Sequence, residues 1–148
     1  MPQSPQDPRT DFAQAFPAHV GALVRLLTVL RREFDGDLDL LLICAIVGER
    51  HFARRIDPAT PTYKTLGATP VTKTPSVNAY SIAQYSGIPR ETVRRKVSRL
   101  VDNGWLRVDG KGNFSPTAKA AEDLMHGTQE TVRFLKDVSP YGGSLSET

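Results

Sequence analysis

The sequence predicts a mainly α-helical protein with one small β-hairpin, an α+β fold. Three observations predict it. Apolar residues recur at helical spacing in the first third of the chain, two further helical segments meet at Gly87, and two short strand-like runs flank a loop at Asp109–Gly112. The chain has 148 residues, 39 % of them hydrophobic, which is enough for one domain with a core of its own. Its single cysteine, Cys44, lies in an apolar run, so an inert buried thiol is expected.

Two helices are predicted in residues 16–55. In the first, from about Pro17 to Phe34, apolar residues repeat every three or four positions and form one stripe: Val20, Leu23, Val24, Leu27, Leu30 and Phe34. A second stripe, formed by Ala22, Leu26 and Val29, runs beside it. A helix this broadly apolar needs cover on more than one side, either inside the domain or in a subunit interface. Asp35-Gly36-Asp37 then separates it from a second helix, Leu38 to about Arg55.

Three further segments are set apart by composition. Residues 1–15 are rich in Pro, Gln and Asp and predict a flexible arm, and residues 139–148 predict a flexible tail. Residues 56–77 contain four prolines and several threonines without any period, which predicts an excursion that is either ordered or mobile. We expect the remainder, 16–138, to form a single domain.

Residues 78–102 predict two short helices joined by a tight turn. Asn78 can cap the first helix, Gly87 can end it, and Pro89 suits the start of the second. The buried stripe of the second helix is expected to be Val93, Val97, Leu100 and Val101. At about 100° per residue, the opposite face carries Glu91, Arg95, Ser98 and Asp102, and its flanks carry Thr92, Arg94 and Arg99.

Positive charge is concentrated on this second helix. Residues 90–99 carry five cations and one carboxylate, a local charge of +4, whereas the whole chain is only +3. A solvated helix face is the alternative interpretation, but the preceding glycine turn favours a helix-turn-helix that docks on duplex DNA. Arg94 and Arg95 can bind guanine bidentately, Thr92 can contact a phosphate or a thymine methyl, and Lys96 and Arg99 are better placed for phosphates.

Residues 103–116 predict a hairpin directly after that helix. Asn103-Gly104 is a helix C-terminal signal, and Trp105–Val108 and Asn113–Ser115 are the expected strands. A hairpin in this position is the wing of a winged helix-turn-helix, with Trp105 and Phe114 expected to pack on the core. Ser115-Pro116 is expected to cap a last helix, 117–138, which pairs with the first helix as dimerisation helices. The candidate DNA-binding residues are Arg90, Glu91, Thr92, Arg94, Arg95, Lys96, Ser98, Arg99, Arg107 and Lys111.

Residues 78–125 resemble the winged helix-turn-helix of MarR-type transcriptional regulators. The resemblance rests on Ile82-Ala83, Gly87-Ile88-Pro89, Thr92-Val93-Arg94-Arg95, Arg99-Leu100-Val101, Gly104-Trp105-Leu106 and Pro116-Thr117. It implies a homodimer held by its terminal helices. The expected function is therefore sequence-specific binding of double-stranded DNA as a transcriptional regulator, with a repressor favoured. The alternative is a winged-helix module for protein–protein interaction or assembly, without sequence-specific DNA binding.

Other chemistry is not indicated. The three histidines, His19, His51 and His126, have no second ligand at metal spacing, so neither a metal nor another cofactor is expected. No nucleotide loop or nucleophile–base pair stands out, which predicts a protein that is not an enzyme. Tyr63, Tyr80 and Tyr85 could line a pocket for a small-molecule effector, although packing is the favoured role.

The sequence also predicts the compartment. The N-terminus has no cationic segment leading into an apolar one, so no signal peptide is expected. The longest apolar run, Leu40–Val47, is too short to cross a bilayer. We therefore expect a cytoplasmic, nucleoid-associated protein without a membrane partner.

Overall fold

The computed structural model describes residues 8–53 and 77–142. These residues form helices α1 (Pro8–Glu33), α2 (Leu38–Ala53), α3 (Ala79–Ser86) and α4 (Arg90–Asp102), strands β1 (Leu106–Val108) and β2 (Phe114–Pro116), and helices α5 (Ala118–Asp123) and α6 (Met125–Gly142). The two strands form one antiparallel sheet. The predicted fold class, mainly α with a small hairpin, is confirmed at this level. The predictions for residues 1–7, 56–76 and 143–148, and for Tyr63, lie outside the described residues.

The described residues group into two compact units. Unit 1 comprises the residues up to Gly36 and those from Leu124 onward, and unit 2 comprises Asp37–Asp123. The first and last helices pack along each other in unit 1. The single domain expected over 16–138 stays a prediction. The helices and sheet of unit 2 share a core of their own.

Unit 1 is the pair α1 and α6. The Arg25 guanidinium lies 2.6 Å from the Asp137 carboxylate, and the Gly127 amide donates to Glu33 Oε1 at 2.8 Å. Of the two apolar stripes predicted on α1, the narrower one contains the buried Ala22, while Val20, Val24 and Leu27 of the broader one are exposed. One apolar face of α1 is therefore left uncovered by residues 8–53 and 77–142.

The bounds of α1 differ from the prediction. The helix begins at Pro8, so residues 8–15 belong to it and not to a flexible arm. Proline at a first helical position leaves no amide unpaired, and the apolar spacing continues backward from Val20 through Phe16 and Phe12 in steps of four. Pro17 lies inside the helix, where it removes one backbone hydrogen bond without ending the helix.

Residues Ala13–Glu33 of α1 are long and apolar enough to cross a membrane, with a mean hydropathy of 1.3. Within residues 8–53 and 77–142 this is the one helix that does so. A single such helix near the N-terminus is weak evidence for a membrane span. Its packing on α6 and the Arg25–Asp137 ion pair are consistent with a soluble protein.

Unit 2 has an apolar core to which each of its helices contributes. Its fully buried side chains include Leu40 and Ile43 from α2, Ile82 from α3, and Val93 and Leu100 from α4. Val97 is buried as predicted, whereas Val101 is only half-buried. The apolar stripe of α4 therefore packs this helix on the core and leaves its opposite face exposed.

The ends of α3 and α4 follow the predicted signals. Asn78 caps α3 in a capping box with Ser81, and the Gly87 amide closes the helix on the Ala83 carbonyl. Gly87 has φ 75°, a left-handed conformation that glycine adopts at little cost. At the end of α4, the Gly104 and Trp105 amides donate to the carbonyls of Val101 and Leu100, the hydrogen-bond pattern of a Schellman motif.

The hairpin pairs Leu106 with Pro116, Arg107 with Ser115 and Val108 with Phe114. In the loop between the strands, the Asp109 carboxylate accepts hydrogen bonds from the Lys111 and Asn113 amides, which also hold its pKa below the ordinary value. The Phe114 amide donates to the Val77 carbonyl at 2.8 Å, so the residue before the α3 cap joins the hairpin.

The predicted last helix, 117–138, is two helices. The cap is Thr117 and not Ser115-Pro116, because Pro116 belongs to β2 and Thr117 Oγ1 accepts from the Ala120 amide. The break falls at Leu124, between α5 and α6, and the amide of Gly127 in the first turn of α6 donates to Glu33 Oε1. Helix α6 continues to Gly142, so residues 139–142 are helical and not part of a flexible tail.

Candidate nucleic-acid interface

The outward face of α4 is positioned by the turn that precedes it and the core beneath it. Helix α4 begins three positions after Gly87, whose backbone is in the left-handed conformation. The Pro89 carbonyl accepts the first helical hydrogen bond, from the Val93 amide. The buried side chains of Val93, Val97 and Leu100 then fix the rotation of the helix about its axis. This rotation leaves the predicted opposite face, Glu91, Arg95, Ser98 and Asp102, exposed.

Arg95 occupies the centre of this exposed face. Within the residues that the structure describes, its side chain has no hydrogen bond, ion pair or ring contact. A guanidinium offers five donors in a planar fork, so Arg95 is fully available to an external acceptor. Glu91 and Ser98 are exposed on the same face.

One flank of α4 carries Arg90 and Arg94. The Arg94 guanidinium lies 3.4 Å from the Glu91 carboxylate, an exposed contact that contributes little stability and leaves most of its donors open. The Arg90 guanidinium lies 6.0 Å from the centre of the Tyr80 ring, at the edge of the cation–π range. Both arginines are exposed, so this flank adds positive charge beside Arg95.

The other flank carries Thr92, Lys96 and Arg99, and here the cations have an internal partner. Lys96 Nζ lies 2.5 Å from Asp37 Oδ2, and Arg99 Nη1 lies 3.5 Å from the same oxygen. The Lys96 side chain is only 15 % exposed. Lys96, which we predicted as a phosphate contact, is thus held by a carboxylate of the same chain. Thr92 is half-buried.

Arg107 and Lys111, the hairpin candidates, are both exposed. Arg107 Nε donates to Ser115 Oγ across the strand pair at 3.0 Å, which steadies its stem against the sheet. The two aromatic residues of the hairpin region are half-buried. Trp105 Nε1 donates to Asp123 Oδ2 at 2.9 Å, as expected for a packing residue and not for a free stacking platform.

Two residues outside α4, Asp37 and Arg50, were not selected as site residues from the sequence. Asp37 was expected only between the first two helices, because 59 residues separate it from Lys96 and no sequence period connects them. Arg50 lies 5.1 Å from the centre of the Tyr85 ring. Tyr80 and Tyr85 are more than half exposed and each lies beside an arginine, so neither lines a closed pocket.

Metal and thiol chemistry find no support among the described residues. No group of three His, Cys, Asp or Glu side chains there could hold a metal ion. Cys44 is half-buried and not fully buried as predicted. Desolvation nevertheless raises the pKa of its thiol to about 11, so it stays protonated near neutral pH.

Comparison of the chain with protein-family models, with curated proteins and with solved structures finds no match.

Proposed function

We propose that this chain is a sequence-specific, double-stranded-DNA-binding transcriptional regulator that acts as a repressor. The observation that carries the proposal is the exposed Arg95 at the centre of the α4 face, which has no partner among the described residues and is flanked by the exposed Arg90 and Arg94. Arginine forks match the paired acceptors of guanine in the major groove, which gives this face a chemical task. The proposed location is the cytoplasm, associated with the nucleoid.

In this proposal unit 2 is a winged helix-turn-helix of the MarR type. Helices α3 and α4 form the helix-turn-helix, and α4 is the recognition helix. The β1–β2 hairpin is the wing, from which Arg107 and Lys111 contact the DNA backbone. The hydrogen bond from the Phe114 amide to the Val77 carbonyl supports this arrangement, because it joins the start of α3 to the hairpin.

The proposed regulator is a homodimer, formed by two copies of the chain through α1. Phe16, Val20, Val24 and Leu27 are all exposed and fall within roughly 80° of arc at about 100° per residue. They lie on a different face from Ala22, which is buried. A second copy supplies a matching apolar stripe by symmetry, and two copies present two recognition helices to an inverted repeat.

The first test is fluorescence anisotropy with pooled genomic duplex fragments at about 50 and 200 mM salt. We expect tight wild-type binding that weakens steeply with salt. Arg95→Ala should cost roughly 1 to 3 kcal/mol on a selected site and relax preference at one base pair. Arg133→Ala is the matched control, because it removes one exposed arginine whose ion pairs lie within α6.

Two results would count against the proposal. Absence of binding by folded protein at 50 mM salt would overturn it and favour the protein-interaction module. An equal loss for Arg95→Ala on every sequence would make that residue a phosphate contact and remove it from base readout.

The dimer has its own test, sedimentation equilibrium. Val24→Lys should give a monomer, because a cation would be buried in the apolar interface, and should weaken DNA binding by halving the contacts. Gln14→Lys, an exposed position on another arc of α1, should leave the dimer intact. A dimer that survives Val24→Lys would place the interface elsewhere.

A further inference from the structure

Asp37 joins the start of α2 to one flank of α4. Its Oδ1 accepts the Leu40 amide at 2.9 Å, which caps α2. Its Oδ2 receives Lys96 Nζ at 2.5 Å and Arg99 Nη1 at 3.5 Å. The Asp37 side chain is 20 % exposed, so this carboxylate is largely withdrawn from water.

The charge on Asp37 is secure. Desolvation acts to raise the pKa of its carboxyl, but the hydrogen bonds from Lys96 and from the Leu40 amide, together with the charges of Lys96 and Arg99, outweigh it and hold the pKa below the ordinary value. The carboxylate is therefore ionised at neutral pH. It offers two cations of α4 the kind of oxygen that a DNA phosphate would offer.

The five cations of α4 differ in their partners. Lys96 and Arg99 share the largely buried carboxylate of Asp37, and Arg94 contacts only the exposed Glu91. Arg95 has no partner among residues 8–53 and 77–142, and Arg90 is exposed beside Tyr80. A cation can add to sequence-independent binding only if it neutralises a phosphate and releases a counterion. Lys96 must first leave a short, largely buried ion pair to do so.

We propose that Asp37 is a positioning residue that withholds Lys96, and less completely the more exposed Arg99, from the phosphate backbone and so limits sequence-independent DNA binding. Base readout then depends on Arg95 and Arg94, which no buried carboxylate restrains. This inference rests on the proposed DNA-binding function and deepens it, because it assigns the limit on sequence-independent phosphate contacts to one side chain.

The test is Asp37→Asn, which removes the charge while keeping a side-chain acceptor for the Leu40 amide. Each cation released to a phosphate steepens the slope of log affinity against log salt by about 0.9. One or two released cations therefore increase the loss of affinity between 50 and 200 mM salt by about 3.5- to 12-fold on random-sequence duplex. Affinity for random duplex should rise at 50 mM, because phosphate contacts form on any sequence.

Four further variants separate this effect from others. Glu49→Gln makes the same charge change at an exposed position of α2, and it measures the effect of net charge alone. Asp37→Glu restores the anion and should bring the slope back toward wild type. Lys96→Gln added to Asp37→Asn should remove about half of the extra slope. Asp37→Ser is a second neutral, cap-forming variant for use if Asp37→Asn does not fold.

The outcomes are distinct. If wild type binds duplex and Asp37→Asn has the slope of Glu49→Gln, this inference is overturned while the proposed function stands. If folded wild type binds no duplex at 50 mM salt, the proposed function fails and the inference fails with it. A steeper slope in both neutral variants, reversed by Asp37→Glu, supports the inference.

Discussion

The contact of Glu33 with Gly127 predicts that the effect of Gly127→Ala on stability depends on whether Glu33 is present. The Gly127 amide, in the first turn of α6, donates to Glu33 Oε1 at 2.8 Å. A Cβ on residue 127 would lie 2.9 Å from Leu30 Cδ2 and 3.2 Å from Glu33 Cδ, and closer still to Glu33 Oε2. Gly127→Ala therefore forces the Glu33 carboxylate away from the amide.

The magnitude follows from two opposing effects. Loss of a hydrogen bond to a charged acceptor costs about 1.5 to 3 kcal/mol. Alanine in place of glycine in a helix returns up to about 1 kcal/mol. We expect Gly127→Ala to destabilise unit 1 by about 1 to 2 kcal/mol. After Glu33→Ala the hydrogen bond is already lost and only the Cδ2 methyl group of Leu30 must still shift, so the same Gly127→Ala change should cost much less or be neutral.

The assay is urea denaturation of wild type, both single variants and the double variant, followed by circular dichroism at pH 7. The expected coupling energy is about 1.5 to 3 kcal/mol. Gly21→Ala is the control, because its Cβ would meet only Arg25 Nη1 at 3.9 Å and should stabilise α1 equally in both backgrounds. If Gly127→Ala changes stability equally with and without Glu33, the steric reasoning is refuted.

Three further predictions concern unit 2. Gly87→Ala should lower the free energy of unfolding by about 1 kcal/mol and Gly87→Asn by less, because φ is 75° there and no atom lies within 4 Å of the added Cβ. Equal losses for the two variants in urea denaturation would contradict a backbone cause. Cys44 should resist a thiol reagent at pH 8 until the protein unfolds, because burial raises its pKa to about 11, and rapid labelling of native protein would disprove this. Because the pKa of Asp37 is lowered by folding, the stability that this lowering contributes is present above the unfolded-state pKa and is lost as pH falls through the folded-state pKa. Wild type should therefore lose more stability than Asp37→Asn between pH 6 and acid pH, and parallel losses would count against it.

Local signals predicted the part of unit 2 around α3 and α4 well. Asn78, Gly87 and Gly104 act within one turn of the chain, so their roles can be read from neighbouring residues. The exposure of Arg95 follows in the same way from the spacing of Val93, Val97 and Leu100. This much of the candidate site was available from the sequence.

The remaining features depend on partners that are distant in sequence. The Asp37–Lys96 pair, which changes the interpretation of Lys96, joins residues 59 positions apart. Which stripe of α1 is covered depends on its packing against α6, which its own sequence does not reveal. Division into two units likewise depends on which helices pair, and amphipathicity alone does not decide this.

The pairing of α1 with α6 has a consequence for the order in which the chain acquires its structure. The Glu33–Gly127 and Arg25–Asp137 contacts close loops of 94 and 112 residues, and closing such a loop costs on the order of 4 kcal/mol in chain entropy. Helix α1 leaves the ribosome long before α6, so its apolar faces have no partner while unit 2 is being synthesised. We expect unit 2 to fold first and to shorten the loop that unit 1 must close. Slower acquisition of amide-exchange protection at Gly127 than at Val93 during refolding would reveal that order.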